Sequence, residues 1–103
     1  MIRRRHISDA QRFSIIEGDE DFKQYCHRCG APSSELHECF GGINRQNSKD
    51  YGLVVTLCRR CHEIVQYKAS ERHLYEQIGK HAFLHKYGDI EQFKAIFGRY
   101  YNE

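Results

Sequence analysis

Two Cys-x-x-Cys pairs are the feature that most limits how this chain of 103 residues can fold. The first pair is Cys26 and Cys29, and the second is Cys58 and Cys61. Two intervening residues allow a tight turn that points both thiolates at one metal ion, and Gly30 gives the first turn its backbone freedom. The cysteine count is odd, at five, and the N-terminal sequence predicts no signal peptide, so a disulfide scaffold is disfavoured. The spacing therefore predicts one structural zinc ion held by the four cysteines.

The composition predicts one small globular domain rather than a disordered or membrane-embedded chain. Hydrophobic residues make up 40 % and charged residues 29 % of the chain, which excludes low-complexity and disordered classes. No apolar segment approaches the roughly 20 residues of a membrane helix, so we expect no membrane partner and a cytoplasmic location. The net charge is only +2 and does not by itself predict nucleic-acid binding. Cys39, outside both pairs, is expected to be a small buried residue.

The pattern of apolar residues predicts a small α+β fold. Residues 35–40 and 53–57 read as short strands, and the segment 43–52 between them reads as a polar loop. A helix is expected to begin at Cys58, with Ile64, Val65 and Tyr67 as its apolar stripe. The order is therefore strand, loop, strand and helix, followed by further helices.

The C-terminal third of the chain predicts two more helices that enlarge the core. Ser70 is the expected N-cap of the first, which should end at Gly88. Asp89, with Gln92 three residues later, predicts a capping box for the last helix. The chain is then a single domain with a basic arm over 1–12, a zinc core over 22–69 and C-terminal helices over 70–103.

The segment between the cysteine pairs predicts a second place for a metal ion. If the two strands pair as a hairpin and the next helix packs across them, His37 approaches His62. Gln66 lies one helical turn after His62, on the same face. These side chains could bind a cation separate from the zinc.

The motifs over residues 26–66 resemble a known family. They read Cys-x-x-Cys-Gly, Leu-His-x-x-Phe-Gly-Gly, x-Asn-Arg and Gly-Leu-Val-Val-x-Leu-Cys-x-x-Cys-His. This pattern resembles the HNH endonucleases, especially the small stand-alone enzymes of phages and prophages. The resemblance implies a zinc-braced ββα-metal finger, treble-clef-like, with added C-terminal helices. It also implies a bacterial or phage-encoded protein that cuts DNA by metal-assisted hydrolysis, with a phage protein as a candidate further partner.

The resemblance assigns site roles to His37, Glu38, His62 and Gln66. The family usually has His-His or Asp-His on the first strand, where the first residue binds the cation and the second is the general base. Glu38 stands at the base position; a shift of one residue would make His37 the base and leave Leu36 at the ligand position. The family's last helix carries two histidines four residues apart. The matching positions in this chain are His62 and Gln66. A divalent cation (Mg, Mn, Ni or Zn) is therefore implied on His37 and His62.

Basic residues near these motifs are candidate contacts to the DNA backbone. Arg45, Arg59 and Arg60 could each position a phosphate, or could each be a solvated surface arginine. Contacts of this kind carry little sequence specificity, so we expect low sequence preference from the finger itself.

Departures from the family pattern leave two functions open. Glu38 and Gln66 replace histidines, and Gly52 replaces the central asparagine, for which Asn44 or Asn47 could substitute. The first function is an HNH-like DNA endonuclease or nickase. The alternative is a catalytically weakened zinc module that binds nucleic acid or a protein partner.

Overall fold

A computed structural model describes residues 13–17 and 22–98 and confirms the small α+β class. The predicted basic arm over 1–12 lies outside the described residues. None of the helices within the described ranges is long and apolar enough to cross a membrane. The elements in chain order are β1 (Glu35–Glu38), a short 3-10 turn (Gly42–Asn44), α1 (Arg45–Asp50), β2 (Val54–Leu57), α2 (Arg59–Tyr67), α3 (Ala69–Tyr87) and α4 (Ile90–Phe97).

The two strands form an antiparallel hairpin whose register decides which side chains face the helices. His37 stands opposite Val55 in this register. Because side chains alternate along a strand, the neighbouring Leu36 points to the other face. There Leu36 packs with Phe22 and Val54, whereas the His37 ring contacts α2 and α3. Leu36 is therefore a core residue, away from the side of β1 that carries His37.

The prediction of a polar loop over 43–52 is wrong, because this segment holds the 3-10 turn and α1. A helix of six polar residues has no apolar stripe and is not stable on its own. Tertiary hydrogen bonds support it here. The buried Ser48 hydroxyl donates to the Phe40 carbonyl at 2.8 Å and accepts from the Phe40 N–H at 3.1 Å.

The two C-terminal helices form as expected, apart from the start of the first. The helix α3 begins at Ala69, and Lys68 rather than Ser70 precedes it as the capping residue, without a side-chain hydrogen bond. Its end at Gly88 is confirmed, with φ of 71°. The Asp89 cap of α4 is also confirmed: its carboxylate accepts hydrogen bonds from the backbone N–H groups of Glu91 and Gln92.

The helix α3 spans two apolar clusters and joins the end of the core that contains Cys26 and Cys61 to its aromatic end. Tyr75 packs in the first cluster, with Val55, Leu57 and Val65. Phe83, two turns later, belongs to a second cluster, which joins α3 and α4 to the residues after β1 and before β2. The remaining buried members of that second cluster are Cys39, Phe40, Leu53, Phe93 and Phe97.

Between these clusters, α3 touches the end of β1 through a glycine. Cys39 is 2 % exposed, which confirms its expected burial. A Cβ atom placed on Gly79 would lie 2.8 Å from the Cys39 Cβ and 3.0 Å from the Phe40 ring. The missing side chain at Gly79 therefore lets α3 lie close to the strand.

Gly79→Ala tests this close approach. Alanine normally stabilises a helix by about 1 kcal/mol relative to glycine, but overpacking a filled site costs about 1–3 kcal/mol. We expect a net decrease in the free energy of unfolding, measured by urea denaturation in zinc-containing buffer. The control His81→Ala, at an exposed position of α3, should change it by less than about 0.5 kcal/mol. A more stable Gly79→Ala variant would contradict the packing.

Candidate metal centre and adjoining cleft

The first cysteine pair lies on a tight turn of the kind that its spacing predicts. The Gly30 N–H donates to the Cys26 carbonyl at 2.8 Å, and the Cys26 N–H donates to the Ala31 carbonyl at 2.6 Å. Gly30 has φ of 84°, a left-handed conformation that glycine adopts without strain. The turn brings the side chains of Cys26 and Cys29 to one side.

The second cysteine pair lies where β2 gives way to α2. Cys58 is the N-cap of α2, and its Sγ accepts a hydrogen bond from the Cys61 N–H at 3.4 Å. Cys61 follows in the first helical turn and is buried. The strand-to-helix junction therefore fixes the direction of both thiols.

The four Sγ atoms of Cys26, Cys29, Cys58 and Cys61 all lie within 4.8 Å of one another. The Cys29 and Cys58 sulfurs are 3.7 Å apart, which is too far for a disulfide. A tetrahedral zinc ion with Zn–S bonds of about 2.3 Å places its sulfurs about 3.8 Å apart. The cluster therefore has the spacing and the donor set of a structural zinc site.

Arg28 adds a positive charge beside this cluster. Its Nη1 donates to the Cys61 sulfur at 3.4 Å, and its Nε donates to the Glu71 carboxylate of α3 at 3.0 Å. These two hydrogen bonds raise the pKa of the Arg28 guanidinium. Four thiolates around a Zn²⁺ ion would carry excess negative charge, which Arg28 would partly balance. The residue also ties α3 to the metal centre, a role that the Cys-x-x-Cys spacing did not reveal.

A cleft of about 380 Å³ adjoins the metal centre and collects most of the predicted site residues. It lies between the end of β1, the start of α1, and the helices α2 and α3. Arg59 and Arg60 do not line it: both are exposed at the start of α2, and Arg59 pairs with Glu63 at 3.8 Å. The lining residues are His37, Glu38, Cys39, Gly41, Gly42, Arg45, His62, Gln66, Arg72 and Glu76.

Two imidazoles meet in this cleft. The rings of His37 and His62 lie edge to face, with centroids 5.4 Å apart. Burial, followed by repulsion from His62, lowers the pKa of His37 to about 4, so His37 is neutral at pH 7. Its Nε2 atom is buried and has no hydrogen-bond partner. A neutral imidazole with an unsatisfied buried nitrogen suits a metal ligand, because binding a cation would satisfy that nitrogen.

Glu35 holds the second of these imidazoles. Its carboxylate lies 2.6 Å from Nδ1 of His62. The other ring nitrogen, Nε2, is then the one that could bind a cation. Carboxylates in this position orient histidines that bind metals. The sequence motifs do not single out Glu35. The available signal is strand periodicity, since Glu35 precedes His37 by two residues and so shares its face of β1.

Glu38 lies between two positively charged side chains at the edge of the cleft. Its carboxylate oxygens are 3.8 Å from Arg45 Nε and 3.9 Å from Lys49 Nζ. Arg45 and Lys49 are four residues apart on α1, so both side chains emerge on the same side of that helix. Arg45 is the more exposed of the two, with 63 % of its side chain open to solvent.

The candidates for the family's central asparagine serve other contacts. The Asn44 amide donates to the Phe97 carbonyl at 3.1 Å, and the Asn47 amide donates to the Asn44 side chain at 3.1 Å. Neither residue lines the cleft. Gly52 has φ of 75°, and a Cβ atom there would lie 2.5 Å from the Phe13 ring. All three residues therefore act in packing.

Comparisons of the chain with protein-family models, curated proteins and solved structures give no match. The resemblance to HNH endonucleases therefore depends on the sequence motifs alone. Among the residues that the structure describes, the four cysteines are the only group of three or more metal-ligating side chains close enough to share an ion. The indicated metal is thus a structural one.

Cys58→Ser tests the metal centre. We expect one tightly bound zinc per wild-type chain, measured by elemental analysis of reduced protein. The variant should lose the zinc and most of its helical circular dichroism, because metal binding at such a site contributes directly to folding. Cys39→Ala, the matched control at the cysteine outside the cluster, should keep one zinc per chain. A folded, reduced wild-type protein without metal would contradict the assignment.

Proposed function

We propose that this chain is an HNH-like DNA endonuclease or nickase that hydrolyses phosphodiester bonds with a divalent cation in the cleft. The observation that carries the proposal is the pair of imidazoles, His37 from β1 and His62 from α2, beside a four-cysteine centre. The motif resemblance and this arrangement point to the same chemistry.

We also infer that the zinc-binding part of the chain is a treble-clef-like ββα-metal finger. The supporting features are the turn at the first cysteine pair, the hairpin of β1 and β2, and α2, which begins at the second pair and packs on the hairpin. In this arrangement α3 and α4 are additions that supply the aromatic half of the core.

The cleft residues divide into cation ligands and a proton acceptor. His37 is neutral and buried, and its low pKa makes it a weak base but leaves a lone pair for a metal. His62 would bind through Nε2, while Gln66 offers a carbonyl oxygen that suits a hard cation. Glu38, at the cleft edge, can accept the proton of the attacking water. A bound divalent cation would supply charge neutralisation at the scissile phosphate.

The basic residues around the cleft fit a polyanionic substrate. Arg45, Lys49 and Arg72 carry positive charge at or beside its edge. Arg59 and Arg60 are exposed at the start of α2, where they could contact a phosphate outside the cleft. Contacts of this type position the DNA backbone without reading bases, so sequence preference would be weak.

One observation favours the alternative function, a zinc module that binds nucleic acid or a protein partner without cutting. In the described part of the chain, no third histidine, cysteine or carboxylate lies close enough to share an ion with the two histidines. A cation would then depend on the Gln66 carbonyl, water and phosphate oxygens for its remaining ligands.

His37→Ala and His62→Ala separate these two functions. Supercoiled plasmid is incubated with each zinc-loaded variant in Mg²⁺, Mn²⁺ or Ni²⁺, and conversion to nicked and linear forms is followed on gels. We expect wild-type protein to cut in at least one cation and both variants to fall to background. Zinc content should remain unchanged, because neither residue belongs to the four-cysteine cluster.

His81→Ala, at an exposed position of α3, is the control and should cut like wild type. Plasmid binding without cleavage in any cation would support the non-catalytic module instead. Absence of both DNA binding and cleavage would contradict the nuclease and the nucleic-acid-binding module together.

Glu35→Gln tests whether the carboxylate positions His62. The amide keeps the size of the side chain but loses the charge that holds the imidazole, so we expect cleavage to fall by about 10- to 100-fold. Glu35→Asp keeps the charge and should recover part of this loss. Full activity of Glu35→Gln, with unchanged zinc content, would show that His62 does not need this partner.

A further inference from the structure

Ile43 is an apolar side chain at the edge of the cleft, and it is 97 % exposed. Gly42 before it and Arg45 two residues after it both line the cleft. Ile43 itself, like the other exposed large hydrophobic residues of the described ranges, does not line the cleft, so its side chain stands beside the cleft. A single exposed isoleucine needs no special explanation on a protein surface. What it could bind therefore depends on how rigidly its turn is held and on the charges of its neighbours.

The turn that carries Ile43 is held from both ends. On one side, the Asn44 N–H donates to the Gly41 carbonyl at 3.0 Å, and Gly42 has φ of 60°. On the other, the buried Asn44 side chain donates to the Phe97 carbonyl at 3.1 Å. The turn is therefore fastened to α4, and Ile43 points outward from a fixed base rather than from a free loop.

Two basic side chains lie next to this apolar tip, and both now face Glu38, which a DNA phosphate would have to replace as their partner. Arg45 belongs to the first turn of α1, directly after the 3-10 turn, and Lys49 follows one helical turn later. Proteins that kink DNA often place arginine or lysine against the phosphates and insert an apolar side chain, isoleucine among them, between base pairs in the minor groove. A protein partner is less well matched, because it would present no regular row of anions to the two basic side chains beside Ile43.

We propose that Ile43 is a wedge that inserts between base pairs in the minor groove while Arg45 and Lys49 hold the neighbouring phosphates. The proposal rests on the DNA binding proposed above and adds a determinant of where the protein acts. Steps that unstack easily, such as pyrimidine–purine steps and mismatches, would be preferred because opening them costs less. Specificity would then come from DNA deformability.

Fluorescence of 2-aminopurine reports base unstacking and tests the wedge directly. A set of duplexes carries the base at successive steps, and zinc-loaded protein is added without a catalytic cation, while anisotropy measures binding separately. We expect wild-type protein to raise the fluorescence several-fold at one step. Ile43→Ala and Ile43→Asn should abolish the rise and retain most of the binding, whereas Ile43→Leu should keep both.

Leu74→Ala is the matched control. Leu74 is an aliphatic residue of α3 with 49 % exposure, and helix geometry places it on the opposite side of α3 from the cleft-lining Arg72 and Glu76. This variant should behave like wild type in both measurements. Zinc content and circular dichroism confirm that each variant is folded, which the exposure of Ile43 leads us to expect.

The outcomes distinguish this proposal from the one on which it rests. Wild-type protein that binds DNA without a rise in fluorescence, or an Ile43→Ala variant with an undiminished rise, would overturn the wedge alone. Wild-type protein that does not bind DNA would overturn the proposed nuclease and the wedge with it.

Discussion

The convergence of four cysteine sulfurs is the contact on which the rest of this structure depends. It joins the turn at Cys26 and Cys29 to the junction of β2 and α2, which lie far apart in the chain. A domain of this size buries too little apolar surface to be very stable from its core alone. Binding of a metal ion here would supply folding free energy directly. Arg28 extends the same centre to α3 through Glu71.

The position of the cleft follows from that centre. His62 comes directly after a cysteine of the cluster, so the strand-to-helix junction that aims the thiols also aims this imidazole. The hairpin register then places His37 on the same side, 5.4 Å away between ring centroids. A cation in the cleft and the structural metal would therefore share one rigid frame. Damage to the metal centre should disturb the cleft, whereas changes in the cleft should leave the metal centre intact.

The sequence by itself determined the parts of the molecule that local signals encode. The spacing of the cysteine pairs identified the cluster, since two intervening residues and a following Gly30 favour a metal-binding turn. The β-branched run before Cys58 identified β2, and Asp89 identified the start of α4. The approach of His37 and His62 also followed once the hairpin and helix were expected. The meeting of the two cysteine pairs and of the two histidines follows from pairing the elements that carry them, and each of the other features depends on residues a few positions apart.

Only the tertiary structure decided the features that depend on distant partners. The helix α1 has no apolar stripe and is supported by Ser48, which bonds to the chain near the end of β1, so periodicity could not reveal it. The pairing of Glu35 with His62 joins a strand to a helix, and Gly79 matters only because Cys39 packs against it. Such contacts depend on how elements pack in space, and this information is not carried by the spacing of residues within any one element.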